Sequence, residues 1–230
     1  MITQTHSGEE LTMPVQIALD GSTLHGDLQV PSPALGLVIF VHGSGSSRFS
    51  PRNRYVAREL NKHGLATLLL DLLTQEEQAI DDQTMQLRFD ISLLGSRATQ
   101  VANWVLRQPE LAHLPIGLFG ASTGAAAALI TAAVMPDRIA AVVSRGGRAD
   151  LAESALDVVK APTLLVVGGE DDVVLDLNRK AMKRMHCPTE LHVVPGATHL
   201  FEEIGALEDV AQVGADWFVR YMQVAAPAAK

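Results

Sequence analysis

The chain has 230 residues, of which 47% are hydrophobic, and a formal net charge of −8 at pH 7. This length allows one large core in a single domain, residues 1–230, and the acidic balance, with no basic run of five or more residues, argues against a nucleic-acid partner. A single cysteine, Cys187, excludes an intrachain disulfide. No apolar stretch approaches the roughly 18 residues of a membrane span, so we expect a cytoplasmic protein without a membrane partner.

Strand and helix patterns alternate along the chain after an initial hairpin. Segments 13–19 and 24–30 flank the turn dipeptide Asp20-Gly21 and predict that hairpin. The patterns that follow predict, in chain order, strand 35–41, helix 51–63, strand 65–71, a solvated loop 75–82, helix 84–108, strand 115–119, helix 123–134, strand 139–144, helix 149–156, strand 162–169, helix 175–185, strand 189–195 and helix 207–223. The α/β class follows, with an eight-stranded, mostly parallel sheet and helices on both faces. We expect residues 1–10 and 224–230 to be flexible ends.

One motif stands at a predicted strand-to-helix turn. Gly120-Ala-Ser-Thr-Gly124 follows the strand 115–119 and opens an alanine-rich helix, so Ser122 lies in a Gly-x-Ser-x-Gly pattern. A sharp turn at this point lifts a serine hydroxyl clear of the backbone, as a nucleophile requires. The alternative is an ordinary connection in which Ser122 caps the helix.

An acid and a histidine follow in the order that a hydrolytic triad can use. Glu170, Asp171 and Asp172 come just after a predicted buried strand, and His199 follows the last strand. The carboxyl ends of parallel strands meet at one edge of a sheet, so these groups can approach Ser122. His199 would take the proton of the serine hydroxyl, and the acid would hold the imidazole in position. Asp171 is the preferred acid, because it has the customary loop offset in Gly168-Gly-Glu-Asp171, while a loop histidine could also cap the next helix.

Two backbone amides are candidates for the oxyanion hole. One is the N–H of Thr123, directly after the nucleophile, and the other is the N–H of Ser44 in the glycine-rich loop 42–47. His42 is more typical of a structural hydrogen bond under that loop. The loop lacks the Gly-Lys-Ser/Thr ending of a phosphate-binding loop, and we find no cofactor or metal motif, so none is expected.

Five arginines follow strands at the same edge of the sheet: Arg48, Arg52, Arg54, Arg145 and Arg148. Planar guanidinium groups suit a substrate carboxylate or phosphate, which makes Arg48 and Arg145 candidate substrate-binding residues. In the alternative interpretation these arginines pair with Asp71, Asp150 or Glu153 and hold the loops. Phe201, beside the candidate base, is a candidate wall of the substrate pocket, although it could also be part of the core.

Four segments together resemble the dienelactone hydrolase-like branch of the α/β-hydrolases: 41–47 (VHGSGSS), 120–124 (GASTG), 169–171 (GED) and 195–203 (PGATHLFEE). The resemblance implies a compact fold and hydrolysis of small esters or lactones. Dienelactone hydrolases use a cysteine nucleophile, however, whereas this chain has Ser122. Many α/β-hydrolases insert a lid before the acid-bearing strand. Here only residues 145–161 intervene, so we expect no cap domain and an open cleft.

The sequence therefore predicts a serine hydrolase that cleaves small carboxylic esters or lactones through Ser122, His199 and Asp171 and an acyl-enzyme. Two alternatives remain at this point. An acyltransferase would use the same triad with an alcohol or thiol acceptor. A ligand receptor would keep the hydrolase fold without turnover.

Overall fold

The computed structural model describes residues 12–225 and has one eight-stranded sheet. Its strands are β1 (Met13–Leu19), β2 (Ser22–Gln29), β3 (Gly36–Val41), β4 (Leu65–Leu70), β5 (Ile116–Ala121), β6 (Ile139–Arg145), β7 (Thr163–Gly168) and β8 (Thr189–Val194). The strand order is β1-β2-β4-β3-β5-β6-β7-β8. β2 pairs antiparallel with both β1 and β4, and the pairs from β4 to β8 are parallel. The predicted α/β class and eight-stranded, mostly parallel sheet are confirmed.

Within residues 12–225, five α-helices lie between strands and a sixth follows β8: α1 (Pro51–Lys62), α2 (Gln75–Thr84), α3 (Ile91–Leu106), α4 (Thr123–Val134), α5 (Asp172–Met182) and α6 (Ala206–Ala225). Two 3-10 helices, Leu87–Phe89 and Ala149–Asp157, complete the elements. The predicted flexible end 1–10 lies outside the described residues. At the other predicted flexible end, 224 and 225 are the last residues of α6 and the rest lie outside. Within residues 12–225, every helix is too short or too polar to span a membrane.

The predicted loop 75–82 and the predicted single helix 84–108 are both wrong. Thr74 caps α2 through a reciprocal pair of hydrogen bonds. The Thr74 hydroxyl accepts from the Glu77 amide, and the Glu77 carboxylate accepts from the Thr74 amide. α2 then ends where Met85 adopts a left-handed conformation with φ of 56°. A new cap at Asp90 starts α3. Local capping therefore divides a segment that hydrophobic periodicity alone joins.

Apolar side chains cover both faces of the sheet, as expected for strands in a parallel sheet. Along β3, Leu37, Ile39 and Val41 belong to the core that includes α3 and α4, while Val38 and Phe40 face the core that includes α1 and α6. All five side chains are at most 1% exposed. Since both faces are filled, the space left for polar chemistry is the edge at the carboxyl ends of the strands.

Candidate active site

Ser122 occupies a strained turn between β5 and α4. Its φ of 51° and ψ of −123° place a non-glycine residue at positive φ, which costs conformational energy and needs support from the surroundings. Its amide donates to the carbonyl of Arg145 at 3.2 Å, and its carbonyl accepts from the amide of Arg148 at 3.0 Å. The Ser122 hydroxyl makes no capping bond to α4. The alternative interpretation of Ser122 as an ordinary helix cap is therefore wrong.

Glycines allow the backbone to close around this turn. A Cβ at Gly124 would lie 2.1 Å from the carbonyl oxygen of Val41, and one at Gly120 would lie 2.5 Å from a backbone carbon of α4. A Cβ at Gly43 would lie 2.9 Å from Cβ of Ser122. Such distances are sterically forbidden for backbone neighbours. The loop after β3 therefore packs directly on the turn of Ser122.

The predicted acid and histidine lie side by side. Nδ1 of His199 is 2.6 Å from Oδ2 of Asp171, a short contact of the kind that carboxylates make with imidazole N–H groups. The two loops are also joined through the backbone, because the amide of Glu170 donates to the carbonyl of Ala197 at 2.9 Å. The side chain of Asp171 is 13% exposed and that of His199 is 40% exposed. The structure thus brings Asp171, and neither exposed neighbour Glu170 nor Asp172, to the ring of His199.

Ser122 and His199 adjoin the same short stretch of backbone. The carbonyl of Arg145 binds the amide of Ser122, and a Cβ on the next residue, Gly146, would lie 3.5 Å from Cε1 of His199. Gly146 has φ of 52°, and the same Cβ would also press on the carbonyl oxygen of His199, at 3.2 Å. The carboxyl end of β6 therefore serves as a common support for Ser122 and His199, the candidate nucleophile and base.

The loop that carries His199 is fixed from within. Oε1 of Glu203 accepts from the amide of Thr198 at 3.0 Å and from its hydroxyl at 2.6 Å, and the hydroxyl bond holds the pKa of Glu203 below its usual value. Phe201 is 1% exposed, has φ of 56° and packs in the core that includes α1 and α6. Of the two roles considered for Phe201, a wall of the substrate pocket or a core residue, this environment matches the core residue. It anchors the loop and has almost no surface to offer a substrate.

The two predicted oxyanion donors are in contact with each other. The amide of Ser44 donates to Oγ1 of Thr123 at 2.9 Å. Thr123 is the first residue of α4, so its own amide has no acceptor within the helix and lies at the positive end of the helix dipole. Because the Ser44 amide already has an acceptor, binding an oxyanion there requires that bond to be shared or exchanged.

His42 is a structural residue under this loop, as predicted. Its Nε2 accepts from the amide of Leu72 at 3.0 Å, and Nδ1 lies 2.9 Å from the carbonyl of Gly43. The side chain is 8% exposed, and its burial lowers the pKa of His42 below 6.5. A neutral ring is also what the acceptor role of Nε2 requires.

Three of the five arginines at this edge form ion pairs with aspartates. Arg48 bonds to Asp71 and lies 3.6 Å from Asp27, which also pairs with Arg54 at 3.3 Å. Arg148 pairs with Asp150 at 2.8 Å. These contacts match the alternative in which the arginines hold the loops. Arg48, a predicted substrate-binding residue, nevertheless lines a cleft of about 450 Å³ beside the loop after β3.

Arg145, the other arginine predicted to bind substrate, lies in a different environment. Its side chain is only 9% exposed and donates from Nη2 to Oδ1 of Asn53 at 3.3 Å. Burial, together with repulsion from Arg52, lowers the pKa of Arg145 to about 10. Within residues 12–225, no carboxylate lies at ion-pair distance from it.

The structure adds one pair of residues that the sequence did not suggest. Asp81 of α2 is 1% exposed, and its Oδ2 accepts from Nε of Arg88 at 2.6 Å. Nη1 of Arg88 lies 3.2 Å from the position that a Cβ of Gly45 would take. The pair thus supports the glycine-rich loop from the side of α2. The capping box Thr74-x-x-Glu77 could have predicted the helix that carries Asp81, where the acidic composition suggested a loop, but it carries no signal for the pair itself.

Comparison with known sequences identifies the family. The sequence model of the dienelactone hydrolase family matches residues 23–223. The chain belongs to the dienelactone hydrolase family. A crystal structure of the dienelactone hydrolase from Anabaena variabilis ATCC 29413 is 53% identical, with a TM-score of 0.91 over 92% of this chain and 98% of that one. This family membership supports a hydrolase.

More distant structures and longer relatives complete the comparison. Est1E from Butyrivibrio proteoclasticus has a TM-score of 0.77 at 18% identity, over 92% of this chain and 99% of that one, and shows the shared fold. Two Mycobacterium tuberculosis proteins, from strains CDC 1551 / Oshkosh and ATCC 25618 / H37Rv, carry the name "Putative phosphoribosyl transferase". Both are 53% identical over 208 residues, which is 90% of this chain and 46% of each relative. The chain therefore spans about half the length of these curated relatives.

Proposed function

We propose that this member of the dienelactone hydrolase family is a serine hydrolase that cleaves small carboxylic esters or lactones. The observation that carries the proposal is the 2.6 Å contact between Asp171 and His199 on a loop that adjoins the strained turn of Ser122. The hydroxyl of a half-buried serine, an imidazole and a partly buried carboxylate are the three groups that acyl transfer by a serine requires.

In the first half of the reaction, Oγ of Ser122 attacks the ester carbonyl carbon while Nε2 of His199 takes the hydroxyl proton. Asp171 holds the ring through Nδ1 and stabilises the imidazolium that forms. The tetrahedral oxyanion accepts hydrogen bonds from the amide of Thr123 and, after exchange of its bond to the Thr123 hydroxyl, from the amide of Ser44. Collapse of this intermediate breaks the bond to the leaving oxygen, which receives the proton from His199, and leaves the acyl-enzyme.

In the second half, water attacks the acyl carbon and His199 takes a proton from it. The second tetrahedral intermediate then releases the carboxylic acid, and the proton returns to Oγ of Ser122. The 40% exposure of the His199 side chain gives solvent access to the base. Between β6 and β7, the chain contributes only the 3-10 helix Ala149–Asp157, which supports an open site for small substrates.

Replacement of the nucleophile tests the proposal. Ser122→Ala is expected to lower kcat for 4-nitrophenyl acetate and butyrate by about 10⁴-fold or more, since removal of a triad member abolishes most covalent catalysis. Thr189→Ala serves as a matched hydroxyl deletion at the start of β8 and is expected to keep activity. Ester turnover by Ser122→Ala at the wild-type rate would refute the nucleophile.

Two further measurements separate the alternatives. Labelling by a fluorophosphonate is expected for the wild type and lost in Ser122→Ala, whereas a non-catalytic receptor would not be labelled in either form. Product analysis with and without added alcohols and thiols distinguishes hydrolysis from acyl transfer. Free acid as the main product at low millimolar acceptor supports the hydrolase, and predominant transfer to the acceptor would identify an acyltransferase.

A further inference from the structure

The buried guanidinium of Arg145 lacks the partners that such a group needs. Its Nε and Nη1 are buried, and neither has a hydrogen-bond acceptor among the described residues. Its one bond, from Nη2 to Asn53, is to a neutral amide that is itself 2% exposed. A buried charged donor without an acceptor is destabilising, so such donors in folded proteins are satisfied by a counter-charge or a bound group.

A second arginine shares this space. Arg52, in the first turn of α1, also has a buried Nε without an acceptor, while its Nη1 contacts Oε1 of Glu202 at 3.1 Å. That carboxylate is 66% exposed, so it neutralises the local charge weakly. Repulsion from Arg52 adds to burial in disfavouring the charged form of Arg145. Two positive groups therefore lie near each other, and the weak counter-charge of Glu202 contacts only Arg52.

The remaining arginines at this edge show that the pair is unusual. Arg48, Arg54 and Arg148 each bond to an aspartate within this part of the chain. Arg145 instead points toward the N-terminal turn of α1, a helix of 12 residues whose dipole also favours negative charge. Guanidinium nitrogens, a helix N-terminus and a side-chain amide are the donors that proteins use to bind oxyanions.

We propose that Arg145 and Arg52, at the start of α1, form a binding site for a small oxyanion, either a carboxylate or a phosphate group. The anion would accept hydrogen bonds from Nε and Nη1 of Arg145 and from Nε of Arg52. Each of these three atoms is buried and lacks an acceptor among the described residues. Nε of Arg48 also lacks one, but it lies 3.6 Å from the carboxylate of Asp27. Planar guanidinium groups match both kinds of anion, so this donor set defines the shared chemistry of the ligand.

The site lies next to the triad along the backbone. The carbonyl of Arg145 holds the amide of Ser122 at 3.2 Å, and the next residue, Gly146, packs against His199. Glu202, the partner of Arg52, follows the histidine on the same loop. The oxyanion is therefore either part of the substrate or a free ion that supports the loop from behind. The first case rests on the ester hydrolysis proposed above, and the second does not.

The binding arm of the test uses inorganic phosphate and needs no catalysis. Titration calorimetry is expected to show one phosphate per chain in the wild type and in Ser122→Ala. Phosphate at ten times its Kd should raise the Tm by about 3–6 °C, from binding linkage and the usual Tm response of a domain of this size. Arg145→Met and Arg52→Met should lose this binding. Arg184→Met, which removes an equal charge from an exposed pair with Asp157, should keep it.

The substrate arm compares two esters of equal length, 4-nitrophenyl hexanoate and the 4-nitrophenyl monoester of adipic acid, which has a free carboxylate. If the substrate carries the anion, the ratio of kcat/KM for the charged to the neutral ester falls by about 30-fold or more in Arg145→Met, the usual effect of truncating one partner of a buried charge pair. Arg184→Met should leave the ratio unchanged.

The two arms together decide the proposal. Loss of phosphate binding with an unchanged ester ratio supports a free anion, and a fall in the ratio supports an anion on the substrate. The proposal is overturned if the ester ratio does not change and, in addition, phosphate either binds equally to the wild type and both variants or binds to none of them. If Arg145→Met does not fold, Arg52→Met decides, because that side chain is 34% exposed. Calorimetry on Ser122→Ala remains informative even if the wild type hydrolyses no ester.

Discussion

Asp81→Asn removes the negative charge from the pair that supports the glycine-rich loop. Oδ1 of Asp81 accepts from the amide of Arg88 at 3.0 Å and Oδ2 accepts from its Nε at 2.6 Å. The asparagine keeps one acceptor oxygen but places an NH₂ group against the guanidinium. Arg88, whose side chain is 20% exposed, then retains the backbone carbonyl of residue 81, to which its Nη2 donates at 3.3 Å. It also keeps the distant carboxylate of Asp82, 3.7 Å away and 64% exposed.

The structure sets the size of the expected effect. Loss of one partner from a buried ion pair costs about 3–5 kcal/mol. The lower end applies here, because the asparagine oxygen and Asp82 compensate in part. We therefore expect the free energy of unfolding to fall by about 3 kcal/mol, which corresponds to a Tm lower by about 6–12 °C in a domain of this size. Since Arg88 lies against Gly45, ester hydrolysis should fall as well.

Urea unfolding followed by circular dichroism measures this loss, and Asp82→Asn is the matched control. An exposed pair of this kind contributes less than about 1 kcal/mol, so the control should unfold nearly as the wild type does. A loss below about 1 kcal/mol in Asp81→Asn, or equal losses in the two variants, would refute the reasoning.

The pH dependence of the same pair gives an independent check. Burial raises the pKa of Asp81, but the hydrogen bonds and charge of Arg88 outweigh it, and the net shift is downward from 3.8. A carboxyl with a lowered folded-state pKa contributes stability above its unfolded pKa, and this contribution is lost as the pH falls through the folded value. Below about pH 4, the stability difference between wild type and Asp81→Asn should therefore shrink. A difference that stays constant down to pH 2 would contradict the assigned shift.

Three further predictions concern the triad, the buried histidine and the glycine contacts. Asp171→Asn should lower kcat by about 10⁴-fold with the fold retained, and Asp172→Asn should lower it by less than about tenfold. Equal losses of kcat in steady-state assays would contradict the assignment of Asp171 as the residue that orients His199. Burial lowers the pKa of His42, so below pH 6.5 the unfolded chain binds a proton that the folded chain does not, and the free energy of unfolding decreases as the pH is lowered. His42→Gln should reduce this dependence on pH in urea titrations, and an unchanged dependence would argue against a neutral ring. Gly124→Ala should prevent native folding, because its Cβ would lie 2.1 Å from a carbonyl oxygen. Gly214→Ala, where the nearest contacts are at 3.9 Å, should match or exceed the wild-type Tm, and a normal Tm for Gly124→Ala would contradict the packing.

The elements that position the site could be predicted from the sequence because they depend on local patterns. Continuous apolar runs specify buried strands, and glycines at 120 and 124 specify a close approach of strand and helix. The offset of Asp171 after its strand was enough to select it over Glu170 and Asp172. These signals work because each lies within a few residues of the feature that it specifies.

Other features could not be predicted because they depend on contacts between distant segments. The Asp81–Arg88 pair supports a loop that starts nearly forty positions earlier in the chain, and periodicity carries no information about that contact. The side chain of Phe201 is turned into the core by a positive φ that no residue type signals. The same holds for the rim arginines, since only coordinates show that Arg48 faces two aspartates while Arg145 faces an amide and Arg52.

Backbone contacts join the three loops of the site into one unit. The amide of Ser122 bonds to Arg145, the amide of the next residue, Gly146, bonds to Val166 of β7 at 2.8 Å, and the amide of Glu170 bonds to Ala197. These bonds hold the loops of the candidate nucleophile, acid and base together. In the proposed hydrolase, such a preorganised site can support the strain at Ser122, but it gives little basis for choosing among esters. With a single 3-10 helix between β6 and β7, selectivity must come from side chains at the rim. Since most rim arginines are already neutralised, the unpaired donors of Arg145 and Arg52 are the groups best able to distinguish a charged substrate from a neutral one.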